Sequence, residues 1–381
     1  MKPFIFATTP RVIFGVGSIA RLPEHAAALG PCILIVSDRG MVETGLVPQV
    51  AETLHRAGHA VVIFDGVVAD PPDSVIMEAC AMARGCDATG VIGLGGGSSL
   101  DAAKLVALLA GTPQQLDDVY GIGLAKGPRL PLLLAPTTAG TGSEVTPIAI
   151  VTTGAHEKKG VVSPLLLPDI ALLDPETTLG LPPASTAATG VDAMVHAIEA
   201  FTTASANANP VSRALAREAL RLLGGAITRA VHQGDDLEAR SDMLLGSMLA
   251  GQAFANAPVA AVHALAYPLG GHFGIPHGLS NALVLTHVMR FNAPACGDAY
   301  ALLGGDIFPA LAGGSDPQAV IDAVTALSAD LGLAARLRDL GVPREALETL
   351  ADDAMKQTRL LVNNPREVTR ADALAIYEAA W

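Results

Sequence analysis

Short branched-apolar runs alternate with helix-like stretches through the first half of the chain. CILIVSD (32–38), AVVIFDG (60–66) and GVIGLGGG (90–97) predict strands, while VPQVAETLHRAG (47–58) and DSVIMEACAMARG (73–85) have the three-to-four spacing of helices. LPLLLAPTT (130–138) and DIALLDP (169–175) add two further buried strands. Strands separated by helices, apolar on both faces, predict a mostly parallel sheet covered on each side. From about Leu181 the pattern changes to long helical periodicity, as in LPPASTAATGVDAMVHAIEAF and NPVSRALAREALRLLGGAITRAV, with few strand signals. DPETTLGLPP, with prolines suited to a loop and a helix start, marks the boundary. The expected organisation is an α/β domain over 1–180 and an all-α domain over 181–381.

Composition narrows the classes of function. A chain of 381 residues is long enough for two cores. Its apolar fraction of 50% leans on alanine, and prolines cut LPLLLAP and SPLLLP well short of the roughly 18 residues a membrane span needs. MKPFIFATTPRVIFG carries an arginine and prolines among its apolar residues and makes a poor signal peptide, so the expected location is cytoplasmic, with no membrane partner. Acidic residues outnumber basic ones 37 to 24, for a net charge of −13, which disfavours nucleic acid as a partner. Cys32, Cys80, Cys86 and Cys296 form no CxxC pair and are read as reduced thiols.

Two glycine loops compete as phosphate binders. FGVGSIARL lacks a third glycine and reads as a turn or hairpin after RVIF. In GLGGGSSLDAAK a strand ends at Gly95, Gly96 and Gly97, and Ser98 and Ser99 open a helix. Bare glycines with free helix amides suit a pyrophosphate, although a tight strand-to-helix connection has the same look. Asp101 can cap or orient in the first turn, and Lys104 either reaches the site or solvates the helix. Asp38, after an early strand, can accept from ribose hydroxyls and favours NAD over NADP, with an ordinary turn aspartate as the alternative. Thr137, Thr138, Thr141 and Ser143 follow a buried strand and can line a cofactor cleft, or form a polar turn braced by Glu144.

The densest chemistry lies in the helical half. Asp192 and His196 are four apart on a predicted helix and share a face. AVHALAYPLGGHFGIPHG supplies His263, and after IP, where a chain reversal can return it, His277. Together Asp192, His196, His263 and His277 make a three-nitrogen, one-carboxylate set that suits Fe(II) or Zn(II); solvated or packed histidines are the plain alternative. An ion there can hold an alcohol oxygen and aim its carbon at a nicotinamide. His272 lies in the same stretch without matching that set, and Phe254 and Met248 border a pocket or fill helix packing.

The assembled motifs, namely FGVGS, SDRG, GGGSSLDAAK, PTTAGTGSEVT, EKKG, ATGVDAMVHAIEA and HALAYPLGGHFGIPHG, resemble the iron-containing (group III) alcohol dehydrogenase family in order and over essentially the whole length. The resemblance implies an NAD-binding α/β domain followed by an all-helical metal-binding domain, with Asp192, His196, His263 and His277 as ligands. It also implies Gly95 to Ser99, Thr137 to Thr141 and Asp38 at the cofactor, and a homodimer or larger homo-oligomer. Lys159 corresponds to a family lysine near the nicotinamide ribose, although composition alone reads Lys158 and Lys159 as a solvated pair. The chain departs from the common pattern twice. Tyr267 stands where many members have histidine, and a phenol with an ordinary pKa near 10 carries protons less readily at neutral pH. Asp70 stands where asparagine is common, so that an added charge bears on cofactor contacts.

The leading functional expectation is reversible hydride transfer between NAD(H) and a small primary alcohol or aldehyde. Maleylacetate reduction, known among relatives of the family, is an enzymatic alternative. A metal-stabilised nucleotide-binding protein with little catalysis is a non-enzymatic one.

Overall fold

The apolar runs form strands because residues such as Ile33–Val36 and Leu132–Ala135 bury both faces of the sheet. A computed structural model describes residues 3–154, 157–314 and 316–381, with no side-chain description at Glu157. Two units result: one spans Ala7–Gly180, and the other spans Leu181–Trp381 together with the described residues before Ala7. The early residues join the helical unit through Asn207, whose Oδ1 accepts from Ile5 N at 2.9 Å and whose Nδ2 donates to Ile5 O at 2.9 Å.

The strands of the first unit are β1 (Arg11–Phe14), β2 (Cys32–Asp38), β3 (Ala60–Val67), β4 (Gly90–Gly95), β5 (Gly121–Ile122), β6 (Leu132–Pro136), β7 (Ile148–Thr153), β8 (Glu157–Val162) and β9 (Ile170–Leu173). Six of them form a sheet in the order β1-β9-β6-β4-β2-β3, and every pairing in it is parallel. A smaller sheet, β5-β8-β7, pairs β7 and β8 antiparallel. The helices are α1 (Pro23–Ala26), α2 (Arg39–Glu43), α3 (Leu46–Arg56), α4 (Asp73–Gly85) and α5 (Gly97–Gly111). Buried side chains of α3 pack on one face of the six-stranded sheet, and those of α4 and α5 on the other. From β2 the chain moves outward to β3, whereas β4 lies on the opposite side of β2. The carboxyl ends of β2 and β4 therefore flank a topological switch point, where open α/β sheets take ligands.

RVIF is an edge strand parallel to β9 rather than part of a hairpin. The following turn is fastened by Asp174, whose carboxylate accepts from Gly17 N at 3.2 Å and Ile19 N at 2.9 Å. The partner lies more than 150 residues away, outside the reach of local pattern.

The second unit holds α6 (Pro183–Thr202), α7 (Pro210–His232), α8 (Leu237–Asn256), α9 (Ala261–Phe273), α10 (His277–Ile307), α11 (Pro317–Asp330), α12 (Leu347–Ala354), α13 (Thr358–Leu361) and α14 (Arg370–Ala380). Residues 190–200 of α6 are buried without interruption, which places it at the centre of this unit. ALLGGDI (301–307) is the last part of α10, beyond a kink at Cys296 that follows Pro294. Among the described residues no helix is long and apolar enough to cross a membrane.

Candidate nucleotide loop and metal centre

In the α/β unit, β4 ends at Gly95 and α5 begins at Gly97, so the glycines form the turn itself. Gly95 has φ 148°, and a Cβ there would lie 2.8 Å from Ser99 Oγ and 3.2 Å from Asp38 Oδ2. A Cβ on Gly97 would lie 2.6 Å from Thr141 Cγ2, and one on Gly96 would lie 3.5 Å from Thr138 Cγ2. Glycine is thus what lets the Thr137–Thr141 loop and Asp38 close around the start of α5. Ser99 Oγ donates to Asp38 Oδ2 at 3.3 Å, and Thr137 N donates to Gly95 O at 2.9 Å. Asp38 also caps α2, its Oδ1 accepting from Met41 N at 3.1 Å. The N-cap of α5 is Gly96, which brings no side-chain acceptor to the first amides of that helix. The arrangement can receive an anion.

Lys104 neither solvates its helix nor reaches outward. It is fully buried and donates to Ile148 O at 2.7 Å, Thr146 Oγ1 at 3.2 Å and Asp101 Oδ1 at 3.4 Å. Asp101 accepts from Ser143 Oγ at 2.5 Å and Ile150 N at 2.9 Å, which ties the threonine loop and β7 to α5. Glu144 is buried next to this network. Burial pushes its carboxyl up to about 7, against smaller opposing effects of a backbone hydrogen bond and the charge of Lys104.

A folded-state value above the ordinary one, near 4.5, means the folded protein holds that proton more tightly. Stability from this group is fully present below about 4.5 and is lost as pH rises through about 7. Glu144→Gln is expected to remove that slope, worth on the order of 3 kcal/mol. Urea midpoints of the two proteins at pH 5 and pH 8 check it, and parallel shifts would refute it.

Lys158 and Lys159 are neighbours on β8 and so point to opposite sides. Lys159 places its ammonium 5.5 Å from the centroid of the Tyr120 ring. Lys158 forms an ion pair with Asp70. Asp70 in turn donates its backbone N–H to Ser98 Oγ at 3.3 Å. The expectation that both lysines are solvated therefore does not describe Lys158, whose side chain is 14% exposed.

The helical unit brings the other candidates together. Asp192 and His196, one turn apart on α6, meet His263 of α9, with one ligand atom from each residue within 4.8 Å of the others. Gly274, with φ 65°, ends α9, and after Pro276 the chain re-enters helix at His277. This reversal returns His277 Nε2 to 3.7 Å from Asp192 Oδ1, and its ring centroid to 5.4 Å from that of His263. His277 is partly exposed, whereas Asp192, His196 and His263 are buried. Burial pushes the Asp192 carboxyl up, but His196, His277, His263 and Asn281 together outweigh it and hold the group below its ordinary range. A buried carboxylate facing three imidazoles, a hard oxygen with borderline nitrogens, fits Fe(II) or Zn(II).

Three residues here escaped sequence reasoning. Glu199 stands on the same face of α6 as Asp192 and His196, at the next turn. Its Oε2 lies 2.7 Å from His263 Nδ1, and its Oε1 accepts from Val262 N at 2.8 Å. That contact orients the ring and turns Nε2 toward Asp192, 3.8 Å from its Oδ1 and 3.3 Å from Asn281 Nδ2. The spacing Asp192, His196, Glu199 was the available signal. Asn281, one turn after His277, donates from Nδ2 to Asp192 Oδ1 at 2.6 Å, while its Oδ1 is buried without a hydrogen-bond partner among the described residues. The third is Gly278, where a Cβ would lie 2.3 Å from Ala188 O, so α10 approaches α6 backbone to backbone beside the candidate ligands. Glu199→Gln is expected to weaken metal affinity about 10- to 100-fold with the fold intact. Chelator competition measures it, and an unchanged metal affinity would rule out the orienting role.

The remaining candidates separate. Tyr267, one turn after His263, has its ring centroid 5.8 Å from that of His277. Phe254 stacks on His196 with centroids 4.3 Å apart, and so packs against one of the candidate ligands, while Met248 is buried. His272 Nε2 instead lies 2.5 Å from Asp353 Oδ2 in a partly exposed hydrogen-bonded pair.

Comparison with known proteins agrees with this architecture on both units. Residues 9–175 match the model of the iron-containing alcohol dehydrogenases, and residues 186–381 match that of the C-terminal part of the Fe-containing alcohol dehydrogenase family. Long-chain-alcohol dehydrogenase 1 of Geobacillus thermodenitrificans is 43% identical over 96% of this chain and 94% of its own length. Lactaldehyde reductase of Escherichia coli K12 is 36% identical over 97% of each. Among solved structures, 1,3-propanediol oxidoreductase superposes with a TM-score of 0.96 at 35% identity, covering all of both chains. An alcohol dehydrogenase from Oenococcus oeni, 33% identical, gives 0.95, also covering all of both. The chain belongs to the iron-containing alcohol dehydrogenase family.

Proposed function

We propose that the protein catalyses reversible, metal-dependent hydride transfer between NAD(H) and a small primary alcohol or its aldehyde, with Fe(II) as the resident ion and Zn(II) as an alternative. The observation that carries this reading is the convergence of Asp192, His196 and His263, with His277 beside them, in a member of this family. A divalent ion in that set supplies Lewis acidity to the substrate oxygen. The chain's own residues do the rest. Glu199 fixes the tautomer of His263, and Asn281 steadies Asp192. The turn Gly95–Ser99, with Thr137, Thr138 and Thr141, takes the phosphates, and Asp70 borders it through Ser98. Asp38 accepts from the ribose hydroxyls and disfavours the extra phosphate of NADP. Tyr267 offers a hydrogen bond near His277 or shapes the pocket. Lys159 is assigned to the nicotinamide ribose by family correspondence alone.

The small-substrate assignment is supported by relatives named for lactaldehyde and 1,3-propanediol; the relative from Geobacillus is named for long-chain alcohols. Exposed Val12 and Phe14 on edge strand β1, with exposed Val16 in the turn that follows, support a homodimer or larger homo-oligomer. Four free thiols favour the reducing cytoplasm. The test is nicotinamide absorbance during turnover of primary alcohols and diols of increasing chain length, with and without a chelator. Turnover greatest on the short members, lost on chelation and restored by one divalent ion, is the expected result. Binding of NADH without turnover of any member would refute the reading.

A further inference from the structure

Asp70 is an unusual residue for its place. Its backbone is left-handed, with φ 51°, a conformation that few non-glycine residues adopt. Its backbone N–H donates to Ser98 Oγ in the first turn of α5, so this residue brings a negative side chain into the neighbourhood of the helix start whose amides suit phosphate. Left alone, that charge would repel a pyrophosphate. The segment is held in place from the other side: Thr152 N donates to Pro71 O at 3.0 Å, and Pro72 bridges to Thr152. Directly across the β7–β8 ladder from Thr152 stands Lys158, whose ammonium pairs with the Asp70 carboxylate. The lysine is largely sheltered, while half of the Asp70 side chain remains exposed.

We infer that Lys158 is a positioning residue that sets how strongly this loop holds the cofactor phosphates, by cancelling the charge that Asp70 places beside Ser98. The inference rests on the reading that Gly95–Ser99 receives those phosphates. It goes beyond that reading in making the loop's strength depend on a residue of β8 that acts through Asp70.

The test is the Kd of ADP-ribose, measured by calorimetry on the metal-loaded protein and independent of turnover. Lys158→Met is expected to weaken binding roughly 5- to 10-fold, less at high salt because the repulsion is screened. Lys158→Arg should retain wild-type affinity. Asp70→Asn should tighten binding a few-fold, because the ammonium is released, and Asp70→Asn with Lys158→Met should return to within about 2-fold of wild type. A Lys158→Met protein with wild-type affinity overturns the inference alone. So does a double variant as weak as Lys158→Met, which would make the lysine a direct phosphate ligand. Wild-type protein that binds no ADP-ribose overturns the phosphate-loop reading and this inference with it. Melting temperatures of the variants separate lost binding from lost folding.

Discussion

Asp192→Ala is expected to abolish stable metal binding and lower turnover by about 1,000-fold or more, with NADH still bound. The residue is buried in α6 and is the one carboxylate in the ligand cluster. His196, His263 and His277 alone would offer three neutral nitrogens and no charge to offset a divalent cation. A Lewis acid is worth several kcal/mol at the substrate oxygen, and about 4 kcal/mol corresponds to the stated fold-change. Replacing one carboxylate among three imidazoles also removes an acceptor for Asn281 Nδ2, so part of any stability change belongs to that lost hydrogen bond. Metal analysis under anaerobic conditions, beside NADH binding and turnover, checks the prediction. Full metal content with wild-type turnover would remove Asp192 from the chemistry.

The second large effect is expected from a single methyl group. Gly278 follows His277 in the first turn of α10, where a Cβ would stand 2.3 Å from Ala188 O, 2.7 Å from Ala188 C and 3.4 Å from Asp192 Cβ. Its φ is not positive, so alanine suits the helical backbone and the whole cost is steric. The obstacle is the backbone of α6, which has no rotamer to change. Overpacking of this kind costs about 1–3 kcal/mol, or roughly 2–4 °C of Tm per kcal/mol in a unit of this size. To relieve the clash, α10 must move off α6, which separates His277 from Asp192. Gly278→Ala is therefore expected to lose both thermal stability and metal affinity. Gly225→Ala, inside α7 with nothing within 4 Å of the new Cβ, is the control and should be neutral or stabilising. Equal melting temperatures and metal contents in the two variants would refute the account.

Much of the architecture was legible in local pattern. The buried strands at Cys32–Asp38, Gly90–Gly95 and Leu132–Pro136 carry apolar residues on both faces, and the long helices from Pro183 onward carry helical spacing. The four metal candidates were also legible, since Asp192 and His196 sit one turn apart and the Ile-Pro before His277 marks the reversal. The glycine turn at Gly95–Gly97 could be read as a close-approach point, but not what approaches it. Thr141 and Asp38 lie far away in sequence, and only the folded sheet presses them against those glycines.

Local sequence determined which segments become strands or helices and which side chains have the chemistry to hold a divalent ion, because periodicity and residue type act over a few residues. Tertiary structure decided which charges are compensated and by whom. Glu199 becomes the partner of His263, Lys158 that of Asp70, and Lys104 a buried brace instead of a solvated side chain. Those assignments depend on distances between residues tens of positions apart, and electrostatic and steric energies follow distance in space, which pattern along the chain does not encode.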